Sequence, residues 1–328
     1  MPHRRALLAA ASASALAAPA ATRAQEAAAW RPSRPIRFIV PFVAGGSTDI
    51  AARLIADRMG ELLGQPVVVE NRGGSGGNIG GEMAARAAPD GHTLLMGVTG
   101  LLSTNPHIYR SMGFDPARDL APVSLAYTSD LVIVVANRLP VATLREFVAY
   151  ARARPGALSF GSSGHGASTH TAAELFRLAA GLDLVHVPYR GSGAAMNDLL
   201  AGTIQMMLIQ IAGAAAQIRD GQVRALAATG PRRHPLLPEV PTVGEEGWPE
   251  ATATSWGCVM APAGTPAPAV AALNAAVVAA VAAPAVARRL EAAGVDGETS
   301  TPEALGAFIA AERVKWGRVV REARIAVE

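Results

Sequence analysis

Cysteine and lysine are almost absent from this sequence, and both absences exclude familiar chemistries. Cys258 is the only cysteine among 328 residues, so no disulfide can form within the chain. Lys315 is the only lysine, so the P-loop-like segment that begins at Gly161 lacks the lysine that contacts nucleotide phosphates. The sequence also has no paired cysteines and no H-E-x-x-H motif, and we therefore expect neither a metal site nor a cofactor.

Aromatic residues, at 5%, and charged residues, at 17%, are scarce as well, whereas 50% of the sequence is hydrophobic. The core must therefore consist mainly of Ala, Val, Leu and Ile. The formal net charge of +3 equals the contribution of Arg4, Arg5 and Arg23, which lie in an N-terminal stretch without acidic residues. Without that stretch the chain is neutral, so we expect no basic surface for nucleic acid and no nucleic-acid partner.

The first 24 residues have the features of an export signal. A basic start at His3, Arg4 and Arg5 is followed by the apolar stretch Ala6–Ala18 and by a small-x-small cleavage pattern at Thr22–Ala24. The apolar stretch is shorter than the roughly 20 residues that a membrane-spanning helix needs. We predict a signal peptide over residues 1–24, which uses the Sec route or, because two arginines are adjacent, the twin-arginine route.

Short β-rich runs alternate with helical patterns in the rest of the chain, which predicts an α/β fold with a mostly parallel sheet. Ile36–Phe42 is predicted to be the first strand. The helix after it is predicted to end at Gly64 and to carry Ile50 and Leu62 on its apolar face.

The length of the chain favours two lobes over one. We predict a first lobe of residues 30–130 plus 256–328, a second lobe of residues 131–255, and two chain crossings that form a hinge. The alanine-rich stretch Ala267–Ala287 is predicted to be a packed helix and not a membrane span, partly because Pro284 interrupts it.

Two glycine-rich turns, each between a predicted strand and a predicted helix, form the candidate site. They are Pro41–Asp49 and Gly161–His170. Glycines let the backbone approach a ligand closely, and the unpaired N–H groups and dipole of a helix start bind anions without a charged side chain. Facing each other across a cleft, the two turns would hold a carboxylate from both sides. The pattern alone fits ordinary capped turns equally well.

Other functions rest on weaker patterns. Gly73-x-Ser75-x-Gly77 follows a predicted strand and matches the nucleophile elbow of serine hydrolases, although glycine-rich composition also produces such matches. The dinucleotide-binding pattern fails because Ile79 replaces its third glycine. Binding without catalysis is the leading interpretation. A secreted hydrolase that uses Ser75 and a ligand sensor with a separate signalling partner stay open as alternatives.

Six segments, in order along almost the whole chain after the signal, carry a resemblance to a known family. They are Pro41–Asp49, Val68–Arg72, Gly161–His170, His186–Gly191, Pro238–Thr242 and Ala261–Pro266. Together they make the chain resemble the tripartite tricarboxylate transporter receptors, also called the Bug family. One of these motifs alone would not be specific, whereas the ordered set is.

The resemblance implies a type II periplasmic-binding-protein-like fold, with two lobes and a hinge of two crossings, in a protein of the periplasm. It also implies a small organic carboxylate, such as a di- or tricarboxylate, held between the two loops. The implied partners are the integral-membrane subunits of the transporter. We expect the receptor to be a monomer and to perform no catalysis.

The predicted ligand-binding residues come from the two loops, the end of the third strand and a strand of the second lobe. They are Phe42, Ala44, Gly45, Gly46, Thr48, Asp49, Thr99, Ser162, Ser163, Gly164, Gly166, Ser168, Thr169, His170 and Gln210. Gln205 and Gln210 stand where many relatives have acids, so ligands without an amine are favoured. Gly46 and Gly164 are predicted not to accept a side chain, because a Cβ would block the ligand or forbid a positive φ.

Overall fold

The structure is a computed structural model that describes residues 30–325. The predicted signal peptide, residues 1–24, lies outside the described residues and stays a prediction. Strands and helices alternate along much of the described chain, as their sequence patterns predict. The helices are α1 Ser47–Leu63, α2 Asn78–Ala85, α3 Asn105–Ile108, α4 Pro116–Asp119, α5 Leu144–Arg152, α6 Ser168–Ala179, α7 Ser192–Ala201, α8 Ile211–Arg219, α9 Ala267–Ala282, α10 Pro284–Ala292 and α11 Pro302–Glu322.

The strands pair into two half-sheets that share one long strand. They are β1 Ile36–Val40, β2 Val67–Asn71, β3 Thr93–Val98, β4 Leu120–Ala136, β5 Leu158–Ser162, β6 Leu184–Pro188, β7 Met206–Gln210, β8 Val223–Ala228, β9 Thr254–Pro262 and β10 Asp296–Gly297. The first half has the order β2-β1-β3-β9-β4, with β10 beside β4. The second half has the order β4-β7-β5-β6, with β8 also beside β4.

Both half-sheets are mixed, not mostly parallel as predicted. β1 is parallel to β2 and β3, and β5 is parallel to β6 and β7. In contrast, β4 is antiparallel to β9 in the first half and to β7 and β8 in the second. The reason is the hinge. Since β4 carries the chain out of the first lobe and β9 carries it back, these two strands must run in opposite directions.

The shared strand β4 is 17 residues long and connects the two lobes. Its residues 120–130 pair with β9, and Leu131–Val135 pairs with β7. The last helix, α11, also contacts both halves. Trp316 lies in the same core cluster as Phe147 of the second lobe, whereas Leu305 packs in a cluster of the first. The predicted lobe boundaries stay predictions, because α11 belongs to neither lobe alone.

Helix α1 positions the first loop. The apolar pattern of the sequence predicts the end of this helix correctly but predicts its buried face incorrectly. It ends at Gly64, as predicted, and the φ of 71° there suits glycine. Ile50 and Leu62, predicted on the buried face, are 39% and 43% exposed, whereas Ala51 and Ala52 are buried. The buried face of α1 thus includes small residues that a search for large apolar side chains overlooks. α1 packs against α9.

The alanine-rich stretch predicted as one helix is two helices, α9 and α10, bent by 70° at the break between them. Pro284 is the first residue of α10, and a proline ends the preceding helix because it has no N–H donor. Leu273 and Val277 of α9 are buried in the core of the first lobe. Among the described residues no single helix is long and apolar enough to cross a membrane, and α9 with α10 meets that test only as this bent pair.

Candidate ligand-binding site

The two glycine-rich loops meet at a cavity of about 330 Å³ between the lobes. Small-molecule sites commonly have volumes of about 300–1,000 Å³. Among the described residues, the lining contains no aspartate, glutamate, lysine or arginine side chain, so the cavity carries no fixed charge. The lining residues are Phe42, Ser47, Thr48, Gly76, Val98, Thr99, Gly100, Asn105, Tyr127, Ser129, Ser163, Gly164, His165, Gly166, Ala167, Ser168, Gln210 and Ser255.

Two clearly larger depressions lie elsewhere on the molecule, besides one of similar volume, about 340 Å³, at the end of α1. One of about 670 Å³ borders α11, and one of about 1000 Å³ lies beside the hinge. Neither includes a residue of the two glycine-rich loops in its lining. We take the smaller cavity as the candidate site, because polar backbone and hydroxyl groups converge there from both lobes.

Three helices of eight or more residues begin at the cavity, and in none of them does a side chain cap the first turn. α1 begins after Gly46, α6 after Ala167 and α8 after Gln210, in each case without a side-chain cap hydrogen bond. By comparison, α5 does not line the cavity and has a complete capping box formed by Thr143 and Glu146. The free N–H groups and the positive ends of the helix dipoles favour an anion in the cavity.

A charged network behind the first loop fixes its shape. The Asp49 carboxylate accepts hydrogen bonds from the Gly45 amide at 2.9 Å and from Arg53 Nε at 3.1 Å. Asn71 Nδ2 donates to the same carboxylate at 2.9 Å and to the Phe42 carbonyl at 3.1 Å. Burial alone would raise the pKa of Asp49, but these hydrogen bonds and the charge of Arg53 outweigh it and hold the pKa below its usual value. The Asp49 side chain is therefore engaged with its own loop, not with the cavity.

The hinge strands contribute hydroxyl groups that sequence reasoning missed. Tyr127 of β4 lines the cavity, and its hydroxyl lies 3.1 Å from Thr48 Oγ1. Burial raises the pKa of Tyr127 to about 12, so the phenol keeps its proton. Thr99 Oγ1 accepts a hydrogen bond from the Trp256 amide of β9 at 2.9 Å. The first lobe and the hinge are thus joined by hydrogen bonds at the cavity wall.

Hydroxyl groups hold the second loop in place without any charge. Thr169 is fully buried, and its Oγ1 accepts a hydrogen bond from the Ser163 amide at 3.0 Å and lies 2.8 Å from Ser163 Oγ. Ser162 Oγ accepts from the Gly164 amide at 3.2 Å. Ser163 and Gly164 line the cavity, whereas Thr169 and Ser162 position them.

Three imidazoles lie together at the second loop, with His170 and His186 behind it and His165 in the cavity lining. His170 and His186 stack with ring centroids 3.7 Å apart and planes 8° apart, and His165 is edge-on to both. His170 Nδ1 accepts a hydrogen bond from the Gly166 amide at 3.1 Å. Burial, together with the neighbouring histidines, lowers the pKa of His170 to about 3 and that of His186 to about 4. Both rings are therefore neutral near neutral pH.

The three imidazoles offer nitrogens within 4.8 Å of one another, but their arrangement does not suit a metal ion. The lone pair of a ring nitrogen lies in the ring plane, so the ring planes of two ligands to one ion must meet at that ion. The nearly parallel planes of His170 and His186 do not meet nearby. Moreover, Nδ1 of His170 already accepts the Gly166 amide. The absence of a metal site stays a prediction.

The two glycines predicted to exclude a side chain differ in conformation. Gly164 has a φ of 137°, which strongly favours glycine, and a Cβ there would lie 3.4 Å from the Tyr189 carbonyl oxygen. Gly46 has a φ of −79°, which any residue adopts, and a Cβ there would meet no protein atom within 4 Å. The positive-φ reason applies to Gly164 and is wrong for Gly46.

About half of the predicted site residues line the cavity. Those that do are Phe42, Thr48, Thr99, Ser163, Gly164, Gly166, Ser168 and Gln210. Those that do not are Ala44, Gly45, Gly46, Asp49, Ser162, Thr169 and His170. Asn105 and His165 are lining residues that sequence reasoning passed over. β3 ends at Val98, seven residues before Asn105, and the segment after it was a usable signal, because ligands bind beyond the carboxyl ends of parallel strands.

Ser75, the nucleophile of the alternative hydrolase, lies beside the lining residue Gly76 and has a φ of 48°. A serine nucleophile needs a neighbouring base. In the described part of the chain, the histidine hydrogen bonds go to residues other than Ser75. No contact in the site therefore favours hydrolysis.

Comparison with known sequences places the chain in a family. The family model described as the tripartite tricarboxylate transporter family receptor matches residues 51–325. The "UPF0065 protein in tcbD-tcbE intergenic region" of Pseudomonas sp. strain P51 is 42% identical over 93% of this chain and 90% of its own length. Protein BugT of Bordetella pertussis is 39% identical over 89% of this chain and 90% of its own.

Solved structures agree with the sequence relatives. A periplasmic transporter has a TM-score of 0.79 and 38% identity over 90% of this chain and 99% of its own. R. palustris Rpa4515 with adipate has a TM-score of 0.79 and 36% identity over 90% of this chain and 99% of its own. MatC from Rhodopseudomonas palustris with bound malate has a TM-score of 0.76 and 34% identity over 88% of this chain and 99% of its own. These matches confirm the predicted fold class, and the chain belongs to the tripartite tricarboxylate transporter receptor family.

Proposed function

We propose that the protein is a periplasmic receptor that binds a small organic carboxylate between its two lobes. It delivers this ligand to the integral-membrane subunits of a tripartite tricarboxylate transporter. The observation that carries the proposal is a cavity without fixed charge at which three uncapped helices begin. Such a cavity stabilises an anion through backbone donors and helix dipoles. The related structures of Rpa4515 with adipate and MatC with malate support this ligand class.

Binding in this cavity would link the two lobes. α1 belongs to the first lobe and α6 to the second, so a carboxylate that accepts hydrogen bonds from both helix starts favours the closed arrangement. The backbones of the two lobes approach each other closely there, since a Cβ added to Gly100 would lie 3.6 Å from the Gly166 carbonyl oxygen. Hydroxyls of Thr48 and Ser163 are further donors in the lining. We propose binding without turnover, because a receptor must release its ligand unchanged.

The ligand is proposed to lack an amine. Gln210 lines the cavity, and its neutral amide cannot form an ion pair with an ammonium group. Gln205, the other position where acids are expected in relatives, accepts from the Ser159 amide at 2.9 Å and donates to the Gly202 carbonyl at 3.3 Å. It therefore supports the strands, and only Gln210 bears on the ligand.

A thermal-shift screen of the mature chain, residues 25–328, tests this function. The panel contains mono-, di- and tricarboxylates together with sugars and amines as other ligand classes. A carboxylate at about 100 times its Kd should stabilise the protein by about 2.7 kcal/mol through mass action. Glutarate should bind more tightly than glutamate, which differs mainly by its amine. Stabilisation by sugars or amines but by no carboxylate would refute the proposal, and NMR of the recovered ligand checks that it is unchanged.

Export and oligomeric state are tested on the same protein. We propose that the N-terminus of the protein recovered from the periplasm lies near Gln25. An intact Met1 terminus in the cytoplasm would contradict this. Light scattering with and without ligand should give the mass of one chain.

A further inference from the structure

Asn105 is a nearly buried amide side chain in the cavity lining to which the binding of a carboxylate gives no role. It is the first residue of α3 and follows a single π-helical turn, Gly100–Thr104, that comes after β3. Such turns occur frequently at functional sites. The residue is 2% exposed and lines the cavity. A polar group is thus held beside the ligand with almost no contact to bulk water.

Both N–H groups of the Asn105 amide point into the protein. Nδ2 donates to the Gly76 carbonyl at 3.0 Å and to Asn78 Oδ1 at 2.7 Å. A carbonyl oxygen can only accept a hydrogen bond, so the contact with Gly76 fixes which end of the amide carries the nitrogen. The amide has two N–H donors, and these two hydrogen bonds use both. Oδ1 is therefore the atom of this side chain that is left for a ligand.

Asn105 Oδ1 lies on the side of the amide that faces the second loop. A Cβ added to Gly166, a lining residue of that loop, would lie 4.0 Å from this oxygen. In the described part of the chain, the hydrogen bonds of the Asn105 side chain all run through Nδ2. The fully enclosed side-chain atoms without a partner in that part belong to Ser103, Thr104 and Glu246. Asn105 Oδ1 is therefore an acceptor without a described protein donor, and it stays open to the cavity.

A carboxylate does not satisfy this oxygen, because both groups are acceptors and repel each other. The lining hydroxyls, such as those of Ser163 and Tyr127, can turn their protons toward a carboxylate, and the N–H groups at the helix starts donate to it. The Asn105 oxygen can only accept. A buried acceptor that loses water and gains no donor weakens binding. The ligand atom beside Asn105 must therefore carry a proton that it can donate.

A hydroxyl group fits this place better than an ammonium group. Among the described residues, no aspartate or glutamate side chain lines the cavity, so an ammonium ion would have no counter-charge from the protein. Burial of a charge without such a partner is costly. A neutral O–H group donates to Asn105 Oδ1 without bringing a charge into the cavity.

We propose that Asn105 is a specificity residue that accepts a hydrogen bond from a hydroxyl group of the ligand, so that the receptor prefers hydroxy acids to the same acids without the hydroxyl. This inference rests on the proposed function, because it concerns the same cavity. A site that hydrogen-bonds a ligand hydroxyl discriminates against the analogue without it, because a buried polar group is then left unpaired. We expect a preference of about tenfold for one neutral hydrogen bond.

Calorimetry with matched ligands measures this preference. The pairs are malate and succinate, 2-hydroxyglutarate and glutarate, mandelate and phenylacetate, and lactate and propionate, and the members of each pair differ by one hydroxyl. In the pair that binds best, the hydroxy acid should bind about tenfold more tightly. Its methyl ether keeps the oxygen but has no proton to donate, so the preference should disappear. The amino acid with an amine in place of the hydroxyl should bind more weakly than the hydroxy acid.

Two substitutions assign the preference to the amide oxygen. Asn105→Leu removes the acceptor together with the Nδ2 hydrogen bonds, whereas Asn78→Ala removes one Nδ2 partner and leaves Oδ1 in place. The ratio of the two affinities within a pair should fall from about ten to about one in Asn105→Leu and stay at about ten in Asn78→Ala. General damage to the loop cancels in this ratio, because it affects both ligands. A crystal structure of the parent complex, which needs no variant, should place the ligand hydroxyl within about 3.2 Å of Oδ1.

The outcomes distinguish this inference from the proposed function. The role of Asn105 is overturned if affinities are equal within every pair, if the methyl ether or the amino acid binds as tightly as the hydroxy acid, or if Asn105→Leu keeps the ratio. A crystal structure with the ligand hydroxyl away from Oδ1 overturns it as well. Carboxylate binding itself, and thus the receptor function, survives each of these results. If no carboxylate of the pairs or of the thermal-shift panel binds, both proposals are refuted.

Discussion

The first loop, Pro41–Asp49, and the second loop, Gly161–His170, present the same kind of helix start to the cavity but are held by different chemistry. Behind the first loop an ionised carboxylate, Asp49, binds an arginine, an amide side chain and a backbone N–H. Behind the second loop, hydroxyls and neutral imidazoles form the equivalent hydrogen bonds. Similar ligand-facing backbones are therefore supported by a charged network in one lobe and by a neutral one in the other.

The difference explains how the cavity stays free of fixed charge. The Asp49 carboxylate is buried behind its loop, where Arg53 compensates it. A carboxylate in the lining would instead repel the ligand. The second loop avoids the problem, because hydroxyls and neutral imidazoles carry no charge. The two supports should also respond differently to mutation and to pH, and the following predictions use that difference.

Removing the charged network behind the first loop should have the largest effect on folding stability. Asp49→Ala leaves the Gly45 amide and Arg53 without their partner, and hydrogen bonds to charged groups are worth about 1.5–3 kcal/mol. We expect a loss of about 2–3 kcal/mol in the free energy of unfolding, measured by urea denaturation at pH 7. Asp57→Ala is the matched control, since Asp57 is an exposed aspartate on the same helix. Equal effects of the two substitutions would show that the network does not hold the loop.

As the pH falls, the uncharged hydrogen-bond network behind the second loop should lose stability before the charged network behind the first loop does. The unfolded chain takes up protons on histidine below about pH 6.5, but folded His170 and His186, with pKa values of about 3 and about 4, do not. Stability is therefore full above about pH 6.5 and falls as the pH drops toward 4. The contribution of Asp49, whose pKa is lowered, is present at these pH values and is lost only at lower pH. From pH 7 to pH 5 we expect a loss of about 2 kcal/mol for each of these two imidazoles.

A variant assigns this loss to the histidine. His170→Asn keeps a side-chain acceptor for the Gly166 amide and removes the titration. The loss of unfolding free energy between pH 7 and pH 5 should then be smaller by about 2 kcal/mol. Urea unfolding, monitored by tryptophan fluorescence, measures this difference. The same pH dependence in parent and variant would exclude His170 as its source.

The chain pattern predicted local features well and the long-range ones poorly. The end of α1 at Gly64 could be predicted, because a glycine after an apolar periodic stretch is a local signal. The sequence pattern predicts no strand over the first half of β4, because Pro122 and Ser129 interrupt the alternation expected of a strand. The mixed direction of the sheet depends on how the hinge connects the lobes, which no local pattern records.

The site shows the same limit. Its two loops could be located from glycines and hydroxyls next to predicted helix starts. Which side chains face the ligand depends on tertiary contacts: Asp49 turns toward Arg53, and Thr169 turns toward Ser163. Tyr127 comes from a hinge strand far away in sequence, so no motif around the loops includes it.

The two loops also differ in backbone conformation at one glycine each. Two matched glycine substitutions test this difference. Gly164→Ala forces a side chain into a φ of 137° and should cost about 1–2 kcal/mol of stability. Gly46→Ala keeps an ordinary extended conformation and should change the free energy of unfolding by less than about 0.5 kcal/mol. Urea denaturation of both variants measures the difference. A destabilising Gly46→Ala would mean that the first loop is under a constraint that its backbone does not show.

The smallest expected effects separate the two hydroxyls that meet in the second loop. Ser163 lines the cavity, whereas Thr169 is buried and its Oγ1 accepts a hydrogen bond from the Ser163 amide. Thr169→Val keeps the shape but leaves that amide without an acceptor, so it should cost about 1 kcal/mol of folding stability and also weaken ligand binding. Ser163→Ala should weaken binding by a similar amount, about 1 kcal/mol, with folding unchanged. Calorimetry with the best carboxylate and urea denaturation together decide this. If Ser163→Ala destabilises the fold while binding is unaffected, Ser163 supports the loop and does not contact the ligand.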